Sequence, residues 1–144
     1  MVPAWAAESA SNTCKPRVLN VEVAQAAGDG SVRPTQGWVS SKVPDAMNRR
    51  WPGYDGSAWY RIDFDASGCS VPVALGIDGI GVAGAVFIND DLLWRDSSLV
   101  EPLSRSWNVP RWWVLPASSL HAGVNSVWVH VVGLSAIWSG VGAL

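Results

Sequence analysis

The stretch Ala58-Trp59-Tyr60-Arg61-Ile62-Asp63-Phe64 decides the fold class of this 144-residue chain. Its even-numbered residues are apolar or aromatic, whereas its odd-numbered residues include an arginine and an aspartate. Because successive side chains of a strand point to opposite faces, this alternation predicts an antiparallel strand that is buried on one face. The stretch 126–132 repeats the pattern, with three valines opposing Trp128 and His130. Two such strands indicate a half-buried antiparallel sheet.

Further short apolar runs lie on either side of these two, separated by clusters of Gly, Pro, Asn and Asp. The predicted strands are 18–26, 71–77, 84–88, 92–94 and 112–115. Residues 89–91, Asn-Asp-Asp, predict a hairpin turn, and residues 117–120 predict the one helical turn of the chain. Many short strands with frequent turn signals are typical of an all-β sandwich.

Composition and charge exclude several classes of protein. Hydrophobic residues make up 49% of the chain, which argues against intrinsic disorder. Lys and Arg total 10 against 12 Asp and Glu, so the chain lacks the basic excess of a nucleic-acid binder. No run of about 18 apolar residues occurs, and we expect no membrane span within the sequence. We therefore expect one compact domain over residues 14–144, with residues 1–13 the remnant of a signal region.

The two cysteines, Cys14 and Cys69, raise the question of whether the domain lies in an oxidising compartment. Residues 4–10 have the small-residue character found around signal-peptidase sites, which predicts an exported domain. In an oxidising compartment a lone pair of cysteines is normally bridged, so we expect a Cys14–Cys69 disulfide. The alternative is two unrelated buried thiols.

The sequence offers no catalytic or cofactor motif that its context supports. Residues 79–84 match G-x-G-x-x-G, but a short strand and a turn follow where a dinucleotide site requires a helix. His121 and His130 have no partner at a telling spacing, and we expect the first to be exposed and the second to be structural. We predict no catalytic residue, no cofactor and no metal, and thus a domain that is not an enzyme.

Ten tryptophans and several arginines form the remaining signal, and many lie in two long irregular stretches, 28–57 and 95–111. An indole beside charged groups forms an apolar platform with polar clamps, which suits a sugar ring. The alternative is Arg–Trp stacking that only supports loops. We expect Trp113 and Trp138 to lie in the core. The candidate ligand-binding residues are Trp51, Tyr54, Asp55, Trp59, Arg61, Trp94, Arg95, Arg105, Trp107 and Arg111.

Three segments carry a resemblance to a known family. They are residues 55–61 (DGSAWYR), residues 86–90 (VFIND) and residues 123–129 (GVNSVWV). In this order and spacing they resemble the galactose-binding-domain-like jelly roll, and in particular the sugar-binding domain of family 2 glycoside hydrolases. The resemblance covers about residues 55–132 and implies a jelly-roll β-sandwich. Asp90 departs from it, because that hairpin usually has a glycine there.

Residues 94–111 additionally resemble the periplasmic input domain of membrane-bound bacterial sensors with a diguanylate cyclase or histidine kinase output. That resemblance implies an extracytoplasmic sensor and does not identify its ligand. Together with the aromatic platform, it leads us to expect a non-catalytic periplasmic domain that binds a small molecule such as a sugar. We expect membrane attachment only through segments outside this sequence, and a homodimer is left open. We expect the ligand to dock between residues 51–54 and residues 94–111. The alternatives are a carbohydrate-binding accessory domain of a secreted glycosidase or esterase, and a dimerisation domain without a ligand.

Overall fold

The computed structural model describes residues 15–69, 72–100, 102–105, 109–134 and 138–144, and these residues form mostly antiparallel β-structure. The strands are β1 (Arg17–Gln25), β2 (Val39–Ser40), β3 (Asp45–Ala46), β4 (Gly56–Asp65), β5 (Ala74–Ile77), β6 (Ile80–Gly81), β7 (Ala83–Ile88), β8 (Asp91–Arg95), β9 (Arg111–Val114), β10 (Val124–Gly133) and β11 (Gly140–Val141). One short α-helix, α1 (Met47–Arg50), and one 3-10 turn, Ala117–Ser119, accompany them in the described ranges.

The strands make two layers around one core. The first layer is a six-stranded antiparallel sheet in the order β2-β1-β4-β10-β7-β8. The second layer consists of a three-stranded sheet, β3-β11-β6, and a two-stranded sheet, β5-β9. Buried side chains of both layers belong to a single hydrophobic cluster, so the domain is an antiparallel β-sandwich of the jelly-roll type.

The alternation in β4 and β10 determines which face of the six-stranded sheet is buried. Tyr60, Ile62, Val127 and Val129 point inward and are at most 1% exposed. Arg61, which alternates with Tyr60 and Ile62, is partly exposed on the outer face. The predicted alternation is therefore confirmed in both central strands, and it leaves a second, outer face available for other contacts.

The short elements were the ones that the sequence did not reveal. Helix α1 lies inside the stretch 28–57, which was predicted to be irregular, and this part of the prediction is wrong. Arg50 at the end of α1 is held by Asp45, whose carboxylate accepts hydrogen bonds from Arg50 Nη2 at 2.8 Å and from Tyr60 Oη at 2.6 Å. A four-residue helix carries too few periodic positions to be recognised.

Other local predictions are confirmed. The glycine run 79–84 joins β6 to β7 without a helix, and the turn after β7 begins at Asn89, with φ of 52°. The turn predicted at 117–120 is the 3-10 turn. Cys69 packs against the core, whereas Cys14 lies outside the described residues, so their disulfide stays a prediction.

Candidate ligand-binding site on the outer face of the six-stranded sheet

The outer face of the six-stranded sheet carries two transverse rows of aromatic and charged side chains. Strand register places the first row directly side by side: Ala24, Trp59, His130, Ala85 and Arg95. The second row is Glu22, Arg61, Trp128, Phe87 and Leu92. Because neighbouring strands lie about 4.8 Å apart, each row is a continuous surface across five strands.

Trp59 is the largest side chain of the first row and is only 2% exposed. Its ring stacks on the imidazole of His130, with centroids 4.9 Å apart and an interplanar angle of 9°. Its Nε1–H donates a hydrogen bond of 2.8 Å to the carbonyl oxygen of Gly30. Partial exposure was expected for several of the predicted tryptophans, but Trp59 is buried because the chain after β1 crosses over it.

The covering segment, residues 29–33, is called the strap below. Arg33 anchors its end, with its guanidinium carbon 4.3 Å from the ring centroid of Trp128 and 5.3 Å from that of Phe87. The same guanidinium donates hydrogen bonds to Asp90 Oδ1 at 3.0 Å and to the carbonyl oxygen of Asn89 at 2.8 Å. Cation–π stacking and a charged hydrogen bond therefore fix the strap to the sheet.

Gly30 brings the strap into direct contact with the sheet. Its φ of +76° favours glycine, and a Cβ added to it would lie 2.5 Å from His130 Nε2 and overlap the Ser57 side chain. His130 is 5% exposed, and its Nε2 has no hydrogen-bond partner in the part of the chain that the structure describes. Burial lowers the pKa of His130, and the nearby Asp29 carboxylate partly offsets that shift.

A cavity of about 340 Å³ lies on this face between the strap and the residues that follow β8. The floor comes from the two rows, and the walls come from the strap and from Leu99 and Val100. Its lining residues are Asp29, Ser31, Trp59, Ala85, Phe87, Leu92, Arg95, Leu99, Val100 and His130. An apolar floor with a few polar groups at its rim is the usual composition of a small-molecule site.

A larger cavity, of about 680 Å³, lies beside the 3-10 turn. The amide of Asn125, which lines it, is already engaged within the protein. Its Oδ1 accepts hydrogen bonds from the His121 backbone N–H at 2.7 Å and from Asn89 Nδ2 at 2.9 Å. His121 is exposed there, as predicted. Most of the remaining lining is small and apolar, so this cavity offers fewer groups for recognition than the one on the outer face.

Two of the predicted site residues, Trp59 and Arg95, line the outer-face cavity. Arg61 lies on the same face, 5.4 Å from the Trp128 ring, and donates a 3.0 Å hydrogen bond to Asp63. Trp59 and Arg61 lie on the same face of β4, whereas Arg95 lies three strands away on β8, and only Trp59 and Arg95 line the cavity.

Trp94 and Arg111 form a separate cluster. Trp94 pairs with the inward-facing Val86, and Arg111 lies 4.3 Å over its ring. Trp94 and Trp113 have centroids 6.0 Å apart, and both pack against the core. Burial lowers the pKa of Arg111, with Asp96 acting in the opposite direction. This arrangement is the loop-supporting stacking that was weighed against ligand binding.

The other predicted residues occupy several places. Trp51 packs against the core and meets Tyr54 edge to face at 5.6 Å, while Tyr54 Oη donates to the carbonyl oxygen of Ser57 at 2.6 Å. Asp55 and Arg105 are exposed. Trp107 lies outside the described residues. Asp29 and Ser31 form the wall of this cavity opposite Leu99 and Val100, and docking between residues 51–54 and 94–111 stays a prediction.

Several residues of this cavity were not predicted as site residues, although the strand alternation places two of them, Phe87 and His130, on the outer face. Phe87 alternates with the core residues Val86 and Ile88, which already places it on the outer face. His130 shares its face with Trp128 for the same reason. Asp29 and Ser31 could not be predicted in this way, because no periodicity in the sequence indicates the path of a loop over a sheet.

Within the described ranges, no three side chains of His, Cys, Asp or Glu lie close enough together to hold a metal ion. In the same part of the chain, no helix has both the length and the apolar character needed to cross a bilayer.

Comparison with solved structures gives a fold relative. The chain is similar to a β-glucuronidase from an uncultured Clostridium species, with a TM-score of 0.63 and 13% identity over 83% of this chain. The chain spans 22% of the length of that protein. At this identity the likeness supports the fold alone, an antiparallel jelly-roll β-domain. No protein-family model and no curated protein matches the chain.

Proposed function

We propose that this domain binds a small carbohydrate, or a polar ligand of similar size, in the outer-face cavity and catalyses no reaction itself. The observation that carries the proposal is the composition of that cavity. Phe87 contributes accessible aromatic surface beside the nearly buried Trp59, while Asp29, Ser31 and Arg95 contribute polar groups around it. A sugar presents C–H groups on its ring face and hydroxyls at its edge, so it matches both kinds of surface.

The charges at the rim fit a ligand with hydroxyl or carboxylate groups. Hydrogen bonds from Ser31 lower the pKa of Asp29, which keeps its carboxylate ionised and able to accept from sugar hydroxyls. Arg95 is exposed at the opposite side and supplies donors for a hydroxyl or a carboxylate. The site therefore suits neutral sugars and uronic acids better than apolar molecules.

The biological role that we propose is that of a periplasmic input domain in a membrane signalling protein. The resemblance of residues 94–111 to such domains supports this role. The cavity also joins two segments that are distant in sequence, the strap and residues 95–100. A ligand touching both segments would favour one arrangement of them, to the extent that it binds that arrangement more tightly.

A second candidate is an accessory carbohydrate-binding domain of a secreted glycosidase. The similarity to part of a β-glucuronidase favours it. The full-length gene separates the two candidates. Codons for hydrophobic spans followed by a cyclase or kinase support the sensor, and codons for a glycosidase catalytic domain support the accessory module.

A thermal-shift screen against neutral sugars, uronic acids, amino acids and small anions tests binding. A ligand at 100 times its dissociation constant stabilises the domain by about 2.7 kcal/mol. In a domain of this size, that raises the melting temperature by roughly 5–10 °C. We expect a hit among the sugars or uronic acids.

Two arginine variants locate the site. Arg95→Ala removes a group that lines the cavity, whereas Arg105→Ala removes an exposed arginine that does not line it. We expect the melting shift caused by the hit to disappear in the first variant and to persist in the second. A shift that survives Arg95→Ala and disappears with Arg105→Ala would move the site away from the outer-face cavity.

A further inference from the structure

We propose that the strap is a proton-operated cover of the outer-face cavity, released when His130 takes up a proton. The proposal rests on the proposed function for its purpose, since the cavity it would open is the candidate ligand site. Its physical basis is independent of any ligand. It lies in the contact between the strap and one buried imidazole.

The closed strap fits a neutral His130 imidazole. Gly30 lies directly against His130 Nε2, where even a methyl group would not fit, and none of the described residues forms a hydrogen bond with Nε2. A protonated imidazole carries N–H donors on both nitrogens, and a buried charged donor without an acceptor is strongly unfavourable. Water reaches Nε2 only if Gly30 moves away.

The charged groups around the ring do not remove this problem. Arg33 on the strap and Arg95 on β8 are positive, and both lie on the same face of the sheet as the imidazole. Asp96 is bound to the Gly84 backbone N–H at 2.8 Å, on the strand beside His130. Asp29 is the carboxylate whose charge acts on His130, and it belongs to the strap itself.

Opening the strap would change the cavity directly. Asp29 and Ser31 form its wall on this side, and Trp59 Nε1–H is tied to the strap through the Gly30 carbonyl oxygen. Release of the strap would therefore remove two polar groups from the site and break the hydrogen bond of Trp59. Trp59 is for this reason a local reporter of the closed state.

The direction of the pH effect follows from the burial of His130. Its pKa in the closed state is lowered from the ordinary value of 6.5, and an open strap would return it towards that value. The open state thus binds the proton more tightly than the closed state. Opening is favoured as the pH falls below 6.5, and the strap is closed above it.

Solution NMR of the ligand-free domain tests the proposal. The probe is the Trp59 indole Nε1–H resonance, followed from pH 7.5 to pH 4.5 in wild type, His130→Phe and His121→Phe. The phenyl ring can stack on Trp59 but does not titrate, and His121 is exposed at the other cavity. We expect the resonance to titrate in wild type and in His121→Phe, and to stay constant in His130→Phe.

A Trp59 resonance that titrates equally in wild type and His130→Phe would overturn the proposal. If His130→Phe does not fold, the wild-type protein alone decides. The resonances of the His130 ring protons and of the Trp59 indole must then titrate with one common midpoint below pH 6.5. Two different midpoints would contradict the proposal that protonation of His130 releases the strap. Since the sample holds no ligand, this result does not depend on the thermal-shift screen.

Discussion

The outer faces of the two layers differ in how far an outward-pointing tryptophan is exposed to solvent. Trp59 on the six-stranded sheet is 2% exposed, whereas Trp112 on the β5-β9 sheet is 71% exposed. Both residues lie in regular antiparallel strands. The strap crosses Trp59, whereas Trp112 pairs with Gly76, which has no side chain, on the neighbouring strand. Residue type and strand alternation are alike in the two places, so the long loop makes the difference and creates the cavity.

The largest expected effect contrasts these two tryptophans directly. Trp59→Ala removes a buried ring that stacks on His130 and anchors Gly30, and we expect a loss of about 3–5 kcal/mol in the free energy of unfolding. Trp112→Ala removes an exposed ring, and we expect a change within about 0.5 kcal/mol. Urea unfolding measures both values. Equal losses would show that the two faces do not differ as described.

The second effect concerns the contact of the strap with the sheet. Gly30 and Gly28 both have positive φ, +76° and +61°, but a Cβ at Gly28 would meet nothing within 4 Å. Gly28→Ala should therefore cost only the left-handed backbone strain, about 1–2 kcal/mol. Gly30→Ala should cost about 1–3 kcal/mol more because its methyl group overpacks the site. Denaturation of the two variants side by side checks this, and similar losses would argue against a closely packed strap.

A smaller effect tests how Arg33 holds the strap. Arg33→Lys keeps the positive charge but loses the planar group that stacks on Trp128, so we expect a loss of about 1 kcal/mol. Arg49→Lys is the control, because Arg49 is exposed on helix α1. Its unfolding free energy should stay within about 0.5 kcal/mol of wild type. An equal loss of unfolding free energy in both variants would contradict a stabilising stack of Arg33 on Trp128.

The fourth effect is the pH dependence of stability from His130. Because its pKa is lowered in the folded state, the stability is fully present above the unfolded value of about 6.5. It declines as the pH falls from there towards the folded pKa, by at most about 1.4 kcal/mol per pH unit for one proton. Urea unfolding at several pH values should show this slope in wild type and in His121→Phe. The slope should be absent in His130→Phe.

The fold was largely predictable because it depends on patterns that the sequence carries. The alternation in β4 and β10 identified the two central strands and their buried faces. Strands β2, β3, β6 and β11 have two residues each, too few for an alternation to appear, and they were missed. Their pairing is fixed by tertiary packing instead.

The candidate site was predictable only in part. Trp59 and Arg95 were identified because charged and aromatic residues alternate with core residues or follow a strand. Trp94 and Arg111 share these features, yet they stack on each other beside the core. Asp29 and Ser31 were not found, because a contact between a loop and a sheet 30 residues away leaves no local pattern.

The indole region of a ¹H–¹⁵N NMR spectrum tests the central claim most directly. The domain would be titrated with whichever sugar or uronic acid gives the largest melting shift. If the ligand enters the outer-face cavity, the Trp59 indole resonance moves with increasing ligand while those of Trp112 and Trp94 stay in place. A titration in which Trp112 or Trp94 responds and Trp59 does not would contradict the account and move the site to the other layer.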